Sequence, residues 1–148
     1  MILIWLPVLV VVLDRLTKWI VTTHMRLHES IPVIEEVFHI TYILNPGAAF
    51  GILAHNRWFF LLVGALVLVV AAVFARQILE EDRWIQAGTG LFLGGTIGNL
   101  WDRLVDGKVI DMFDFRIWPV FNVADIAICV GVGCILWSVL RTEMRKKK

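Results

Sequence analysis

The chain has 148 residues, of which 59% are hydrophobic, with a mean hydropathy of +0.78 and a formal net charge of +1. This apolar share exceeds that of soluble globular domains, and the sequence contains no basic patch of the kind that binds nucleic acid. The length suits one domain, so we expect residues 1–148 to form a single membrane-embedded unit.

Four apolar segments predict four transmembrane helices, at about residues 2–21, 58–75, 85–102 and 124–140. The second is uncharged throughout, and the third is uncharged up to residue 101, so each can cross the hydrocarbon core as a helix. The first segment could instead be a cleaved signal peptide. It has no Lys or Arg before its apolar stretch and no A-x-A-like site after it, which favours a retained helix.

Basic residues set the expected orientation. Lys and Arg are concentrated in residues 76–84 and 141–148, whereas the longer segments 22–57 and 102–123 hold fewer for their length. The positive-inside rule therefore places both termini in the cytoplasm and the two longer segments outside.

The outer segments contain two predicted strands. Residues 37–44 alternate with the period of two that is typical of a strand, and residues 108–118 suit a strand by composition. We expect a small extracytoplasmic β-sheet, with the turn sequence NPGAAFG (45–51) at its membrane-facing end. Residues 30–36 are expected to form a loop, and residues 24–28 a short amphipathic continuation of the first helix.

Histidine and cysteine do not indicate a metal site. His24, His28 and His39, with His55, all lie in the first outer segment, without acidic or cysteine residues at ligand spacing. We interpret them as solvated interfacial side chains. Cys129 and Cys134 lie five positions apart within the last helix, and we expect small core residues rather than a disulfide or metal pair.

Polar side chains from every part of the chain are expected to meet at the outer membrane boundary. A carboxylate in a membrane segment is costly unless it faces a partner or a polar cavity, so it indicates function. On the third helix, Asn99, Asp102 and Arg103 share one face, and glycines continue that face inward, which allows a neighbouring helix to approach closely. The glycines are Gly90, Gly94 and Gly98. Arg103 is expected to keep Asp102 ionised, which makes this subset scaffold.

Asp111 and Asp125 then remain as the pair with chemistry available. Two carboxylates held close together share one proton, so one can activate water while the other polarises a carbonyl group. Ser30 and Ser138 lie in no G-x-S-x-G motif, and the chain has no plausible Cys/His pair. Asp125 could also be a simple helix cap. The pattern favours an aspartyl hydrolase.

Five blocks carry a resemblance that covers nearly the whole chain. They are DRLTKW (14–19), NPGAAFG (45–51), GGTIGNLWDR (94–103), VIDMFDF (109–115) and FNVADIAI (121–128). In order and spacing they resemble the bacterial lipoprotein signal peptidases, also called signal peptidase II.

The resemblance implies a four-helix aspartyl peptidase of the bacterial inner membrane. Such enzymes cut the signal peptide from diacylglyceryl-modified prolipoproteins, just before the lipidated cysteine, with water as nucleophile and without cofactor or metal. It implies Asp111 and Asp125 as the catalytic pair, with seven supporting residues: Asp14, Asn45, Gly47, Asn99, Asp102, Arg103 and Asn122. Prolipoprotein substrates and membrane lipid are the expected partners, nucleic acid is not, and we expect a monomer with its site at the outer face.

Two functions from other classes fit parts of the same pattern. A small ion- or proton-coupled transport protein could use membrane carboxylates as a relay, and a non-enzymatic membrane scaffold could use them for packing. A transporter would need charges at mid-membrane among broken helices, whereas these carboxylates gather at the outer edge. The peptidase interpretation is therefore favoured.

Overall fold

A computed structural model describes residues 1–47, 53–54 and 56–146 of the chain. These residues form a mainly helical protein with one small antiparallel sheet. In chain order the elements are α1 (Ile2–His24), β1 (Ser30–Ile34), β2 (Phe38–Asn45), α2 (Arg57–Val73), α3 (Ala75–Glu80), α4 (Arg83–Val105), β3 (Val109–Asp114) and α5 (Val123–Lys146). The four long helices contain the four predicted apolar segments almost completely, and α1, α4 and α5 extend beyond them.

Helix α4 lies between α1 and α5 and contacts both through glycines. Gly94 faces Pro7 and Val10 of α1, and a β-carbon at Gly94 would lie 2.7 Å from Val10 Cβ. Gly95 faces α5, where a β-carbon would collide with the backbone oxygen of Ala124. The predicted glycine face is confirmed, because Gly90, Gly94 and Gly98 all face α1, whereas Gly95 was not among the predicted glycines.

The sheet has the order β1-β2-β3, with both pairs of strands antiparallel. Asp111 of β3 lies opposite Ile43 of β2. The sheet packs against the C-terminal part of α1, where Val21 joins Ile110 and Met112 in a buried cluster. We call this the sheet end of the molecule and the other the opposite end.

The first outer segment differs from expectation in two places. Residues 30–34 were expected in a loop but form β1, in which every residue is exposed, so no alternation of polar and apolar residues marks it. The predicted continuation of the first helix over residues 24–28 is also wrong. Helix α1 ends at His24, His28 has a positive φ of 70°, and its backbone N–H donates to Tyr42 O. The chain therefore turns back to β2 at once.

Two further segments are shorter or more ordered than expected. Strand β3 ends at Asp114 instead of continuing to residue 118, and Arg116 has a positive φ of 64°. The expected loop at 76–84 contains the short helix α3. Of the NPGAAFG turn, residues 48–51 lie outside the described part of the chain, as does His55.

The surfaces of the long helices are strongly apolar. Many large hydrophobic side chains are exposed, including Leu62 and Val73 on α2 and Leu136 and Leu140 on α5. Such surface suits contact with lipid. Within the described residues, α5 alone is both long and apolar enough to pass a test for a membrane span, and α2 is apolar but shorter. Hydropathy of the single helices thus does not confirm the four predicted spans.

Candidate active site

Asp111 lies on β3 and is almost completely buried, with 1% of its surface exposed. Asn45 donates from Nδ2 to Asp111 Oδ2 over 3.0 Å, and Asn122 donates from Nδ2 to Oδ1 over 2.7 Å. Burial raises the pKa of Asp111 to about 7, and the nearby Asp125 carboxylate also raises it. The Asp111 carboxyl group can therefore hold or release a proton close to neutral pH.

Asp125 lies in the first turn of α5 and is held by two asparagines. Asn99 donates from Nδ2 to Asp125 Oδ1 over 2.7 Å, and the backbone N–H of Asn122 donates to Oδ2 over 3.2 Å. The backbone N–H of Asp125 donates in turn to Asn122 Oδ1 over 2.9 Å. This reciprocal pair is a capping box, so Asp125 also stabilises the start of the helix.

Asn122 links Asp111 and Asp125 through one side chain. Its amide nitrogen binds Asp111 on β3, while its amide oxygen accepts from the backbone of Asp125 on α5. The side chain is fully buried, so water cannot replace either contact. The position of β3 relative to α5 therefore depends on this asparagine.

Both carboxylates line one cavity of about 460 Å³ at the sheet end. Asn45, Gly47 and Arg103 also line its wall. The remaining lining is almost entirely apolar: Val109, Trp118, Pro119, Val120, Phe121, Ile126, Ile128, Cys129 and Val130, with Asn99 beside Asp125. An apolar cleft that contains two titratable carboxyl groups is the usual form of an active site.

A cluster of four charged residues lies behind this cavity, with Asp14, Lys18 and Asp102 buried and the Arg15 side chain 31% exposed. Lys18 Nζ is 2.9 Å from Asp14 Oδ2 and 2.7 Å from Asp102 Oδ2. Arg15 Nη2 contacts both aspartates as well. Two positive and two negative charges thus balance, as buried charges require. Lys18 also donates to Asn99 Oδ1 over 3.3 Å, which connects the cluster to the residue that holds Asp125.

The expected pairing of Arg103 with Asp102 is wrong. Arg103 donates from Nη2 to the backbone oxygen of Gly47 over 2.8 Å, and its guanidinium lies 4.4 Å from the centre of the Phe60 ring. Consecutive residues on a helix point in different directions, so Asp102 faces α1 and pairs with the Lys18 and Arg15 side chains instead.

The structure places the predicted site residues in two layers. Those in contact with the two carboxylates or on the cavity wall are Asn45, Gly47, Asn99, Arg103 and Asn122. Asp14 and Asp102 lie one layer further back, in the charged cluster. There they accept backbone N–H bonds from Ala124 and Ile110, each over 3.2 Å. These bonds tie the cluster to α5 and β3.

Sequence reasoning missed Lys18 and Arg15 as members of the site. A signal was available, because Lys18 follows Asp14 by four positions and so lies on the same helix face. An acidic and a basic residue on one face of an apolar helix stabilise each other in a low-dielectric environment.

Cys129 does not lie in the core, contrary to expectation. It is exposed and lines the cavity, one helical turn after Asp125 and on the same face of α5. Cys134 is partly buried, and both thiols are free. Among residues 1–47, 53–54 and 56–146, no cluster of three or more His, Cys, Asp or Glu side chains could hold a metal ion.

The sequence is similar to a known family and to curated bacterial proteins. The family model described as "Signal peptidase (SPase) II" matches residues 6–141. The "Lipoprotein signal peptidase" of Desulfitobacterium hafniense (strain DSM 10664 / DCB-2) is 42% identical over 149 residues, which cover 99% of this chain and 98% of that protein. The protein of the same name from Bacillus subtilis (strain 168) is 40% identical over 147 residues, with coverage of 97% and 96%.

The fold is also similar to solved structures. A bacterial membrane enzyme determined by the in meso method at 2.3 Å resolution superimposes with a TM-score of 0.90. The two sequences are 32% identical, and the match covers 99% of this chain and 92% of the other. A second such enzyme, at 1.9 Å resolution, gives a TM-score of 0.80 at 33% identity. Because the family model matches residues 6–141, which is most of the chain, the chain belongs to the signal peptidase II family.

Proposed function

We propose that the protein is an aspartic endopeptidase that removes the signal peptide from diacylglyceryl-modified prolipoproteins, cutting before the lipidated cysteine. One observation carries this proposal: Asp111 and Asp125 line the same apolar cavity, each held in place by asparagine side chains. Membership of the signal peptidase II family and relatives named lipoprotein signal peptidase support the reaction and the class of substrate.

In the proposed mechanism the two carboxyl groups hold one proton between them. The ionised carboxylate takes a proton from water as the water oxygen bonds to the amide carbon, and the protonated carboxyl group polarises the carbonyl oxygen. A proton then passes to the nitrogen as the carbon–nitrogen bond breaks. The pKa of Asp111, near 7, suits a group that exchanges a proton during the reaction. Water is the nucleophile, and because the two carboxyl groups activate it, the proposed reaction uses neither metal nor cofactor.

The cavity wall suits an extended peptide that carries lipid. Gly47 has no side chain, and its backbone oxygen is engaged by Arg103, so the wall at this point offers space for a main chain. The opposite wall, with Ile126 and Val130 of α5, is apolar and partly exposed. We assign the peptide to the asparagine side of the cavity and the acyl chains to the surface of α5.

We propose that α1, α2, α4 and α5 all span the bacterial inner membrane, with both chain termini in the cytoplasm and the sheet end outside. The buried cluster around Lys18 explains how α1 can carry charges and still span, since each charge is paired inside the protein. The opposite end carries the basic residues Arg83, Arg141 and Arg145, as a cytoplasmic face should. A single domain acting as a monomer is sufficient, because one chain supplies both carboxylates.

The alternative of an ion- or proton-coupled transport protein has no support from the similar proteins, which are named as peptidases. The carboxylates behind the cavity are also fully engaged with Lys18 and Arg15, which leaves them poorly suited to carry a mobile proton.

A cleavage assay in detergent micelles tests the proposal. A diacylglyceryl-modified prolipoprotein and its unmodified precursor are compared as substrates for the wild type and for Asp111→Asn. Each buried methylene contributes about 0.8 kcal/mol to membrane binding, so two acyl chains should hold the scissile bond at the depth of the carboxylates. The modified substrate should be cut and the unmodified one cut very poorly.

The variant Asp111→Asn should cut neither substrate. It should still show a cooperative thermal unfolding transition, which would show that it is folded. Equal cleavage of both substrates by the wild type would contradict the lipid requirement and leave a general membrane aspartyl peptidase. Cleavage by the variant at the wild-type rate would contradict the assignment of Asp111.

A further inference from the structure

A second cavity, of about 320 Å³, lies at the opposite end of the molecule from the candidate active site. It is formed where the start of α4 meets the last turns of α5. Its lining is Asp82, Arg83, Trp84, Arg141, Thr142 and Arg145. Nothing in the proposed peptidase mechanism uses these residues.

The cavity has a defined depth relative to the candidate active site. At about 1.5 Å per residue, Arg141 and Arg145 lie roughly 24 and 30 Å along α5 from Asp125. The hydrocarbon core of a bilayer is about 30 Å thick, so α5 places the two ends of the molecule at the two boundaries of the membrane. Lipid phosphate groups lie at the membrane boundary near Arg141 and Arg145.

The lining of this cavity holds three arginines and one acidic residue, Asp82, so positive charge is in excess there. Within the described part of the chain, none of the three arginines forms an ion pair within 4.0 Å. Hydrogen bonds, first that from Ser138, lower the pKa of Asp82, and the nearby charge of Arg141 lowers it further. Asp82 accepts from the backbone N–H groups of Trp84 and Ile85, over 2.7 and 3.0 Å, and from the hydroxyl group of Ser138.

We propose that this cavity binds the phosphate group of an anionic phospholipid from the adjacent leaflet. Arg141 and Arg145 lie four positions apart on one helix face, and Arg83 approaches from α4, so guanidinium groups from two helices surround the space. Guanidinium groups bind phosphate oxygens with two parallel hydrogen bonds, and Thr142 adds a hydroxyl group. Trp84 stands at the depth that tryptophan prefers among lipid headgroups.

A lipid fits this site better than free phosphate does. Basic pockets between membrane helices on the cytoplasmic side recognise lipid headgroups, and the apolar surfaces of α4 and α5 next to the cavity can hold the acyl chains. The bound lipid would bridge the two helices whose other ends carry Asn99 and Asp125. The site goes beyond the proposed peptidase reaction and rests only on the proposed placement of α4 and α5 in the membrane.

Native mass spectrometry in detergent micelles tests the proposal, with phosphatidylglycerol and phosphatidylcholine of identical acyl chains as probes. The wild type should retain phosphatidylglycerol in preference to phosphatidylcholine. Each arginine near an anionic group contributes roughly a fivefold factor in affinity, so Arg141→Gln with Arg145→Gln should lower affinity for phosphatidylglycerol by about 30-fold. Arg83→Gln, on the other helix, should lower it about fivefold.

Arg76→Gln is the matched control, because Arg76 lies in the connection between α2 and α4 but does not line the cavity. It should bind as the wild type does. Equal retention of both lipids, unchanged binding by the double variant, or an equal loss in Arg76→Gln would overturn the proposal. In a competition arm at constant ionic strength, displacement of phosphatidylglycerol by inorganic phosphate at equal concentration would overturn the assignment to a lipid.

Discussion

Lys18 and Asp102 form an ion pair between α1 and α4, with 2.7 Å between Nζ and Oδ2, and both side chains are at most 2% exposed. The same ammonium group contacts Asn99, which in turn holds Asp125. A buried lysine therefore lies only two hydrogen bonds away from a candidate catalytic carboxylate. Helix packing and site geometry depend on the same charge.

Replacement of that lysine should destabilise the protein strongly. Lys18→Met keeps the length of the side chain but leaves two buried aspartates with Arg15 alone, which should lower the free energy of unfolding by about 3–5 kcal/mol. Lys146→Met is the control, because Lys146 pairs with Glu143 over 2.8 Å while more than half exposed. Its effect should be about 0–0.5 kcal/mol. Unfolding titrations in mixed micelles measure both, and equal effects would show that the cluster is solvated.

The two carboxylates should behave as one catalytic unit. Asp111→Asn and Asp125→Asn should each remove nearly all cleavage of a lipid-modified substrate, and the double variant should be little worse than either. Initial rates at saturating substrate measure this. A single variant that kept more than roughly a tenth of the wild-type rate would exclude its residue from the pair.

Asp111 should make stability depend on pH with a definite sign. Its folded pKa of about 7 is above the value of 3.8 for a free aspartate, so between these values the folded protein binds more protons than the unfolded chain. The contribution of Asp111 to stability is therefore present in full below about pH 4 and is lost as pH rises through about 7, at up to about 1.4 kcal/mol per pH unit. Asp111→Asn removes this dependence.

Melting curves of the wild type and Asp111→Asn from about pH 4 to pH 8 check the sign. The wild type should lose stability relative to the variant as pH rises. A difference that stays constant over this range, or that changes in the other direction, would show that the Asp111 carboxyl group titrates normally.

Arg103 should matter more for activity than for stability. It holds the Gly47 carbonyl group at the cavity wall and does not pair with Asp102, so Arg103→Ala should cost only about 1.5–3 kcal/mol of stability. Cleavage should fall sharply because the wall beside the carboxylates loses its support. Arg103→Lys keeps the charge but not the planar guanidinium group, so its cleavage rate should lie between those of the wild type and Arg103→Ala. A fully active Arg103→Ala enzyme would contradict this role.

The contact between α4 and α5 should tolerate no side chain at Gly95. Gly95→Ala would drive a methyl group into the backbone of Ala124, which separates Asn99 from Asp125, so both stability and activity should fall. Gly133→Ala is the control, because a β-carbon there meets nothing within 4 Å, and it should stabilise α5 by about 0.5–1 kcal/mol. Similar losses in both variants would point to a general effect of glycine in these helices.

The helices and the convergence of carboxylates could be predicted from the sequence. Both follow from the free-energy cost of exposing apolar segments to water and of placing carboxylates in a membrane. Long apolar segments and acidic residues within them are unfavourable except in a membrane protein with a polar site. The pairing partners could not be predicted in the same way. Arg103 follows Asp102 in sequence, yet helix geometry turns the two side chains apart, and Lys18 reaches Asp102 across 84 positions.

The strand β1 was missed for a different physical reason. Its residues are exposed on both faces, so no pattern of burial appears in the sequence, and its order comes from hydrogen bonds to β2. The position of Cys129 in the cavity was also missed. Because α5 is apolar on all sides, its sequence does not show which face other helices cover and which face lines the cavity.

The link from Asn122 to both carboxylates has a consequence for the timing of activity. Asp125 lies on α5, the last of the long helices in chain order, and Asn99 reaches it only when α4 and α5 have packed. Under the proposed topology, a growing chain that has placed α1 and α4 in the membrane and formed β3 outside it holds Asp111 without its partner. Under the proposed mechanism, a half-made molecule cannot cut the proteins around it in the insertion machinery, and the order of elements along the chain delays proteolysis until assembly is complete.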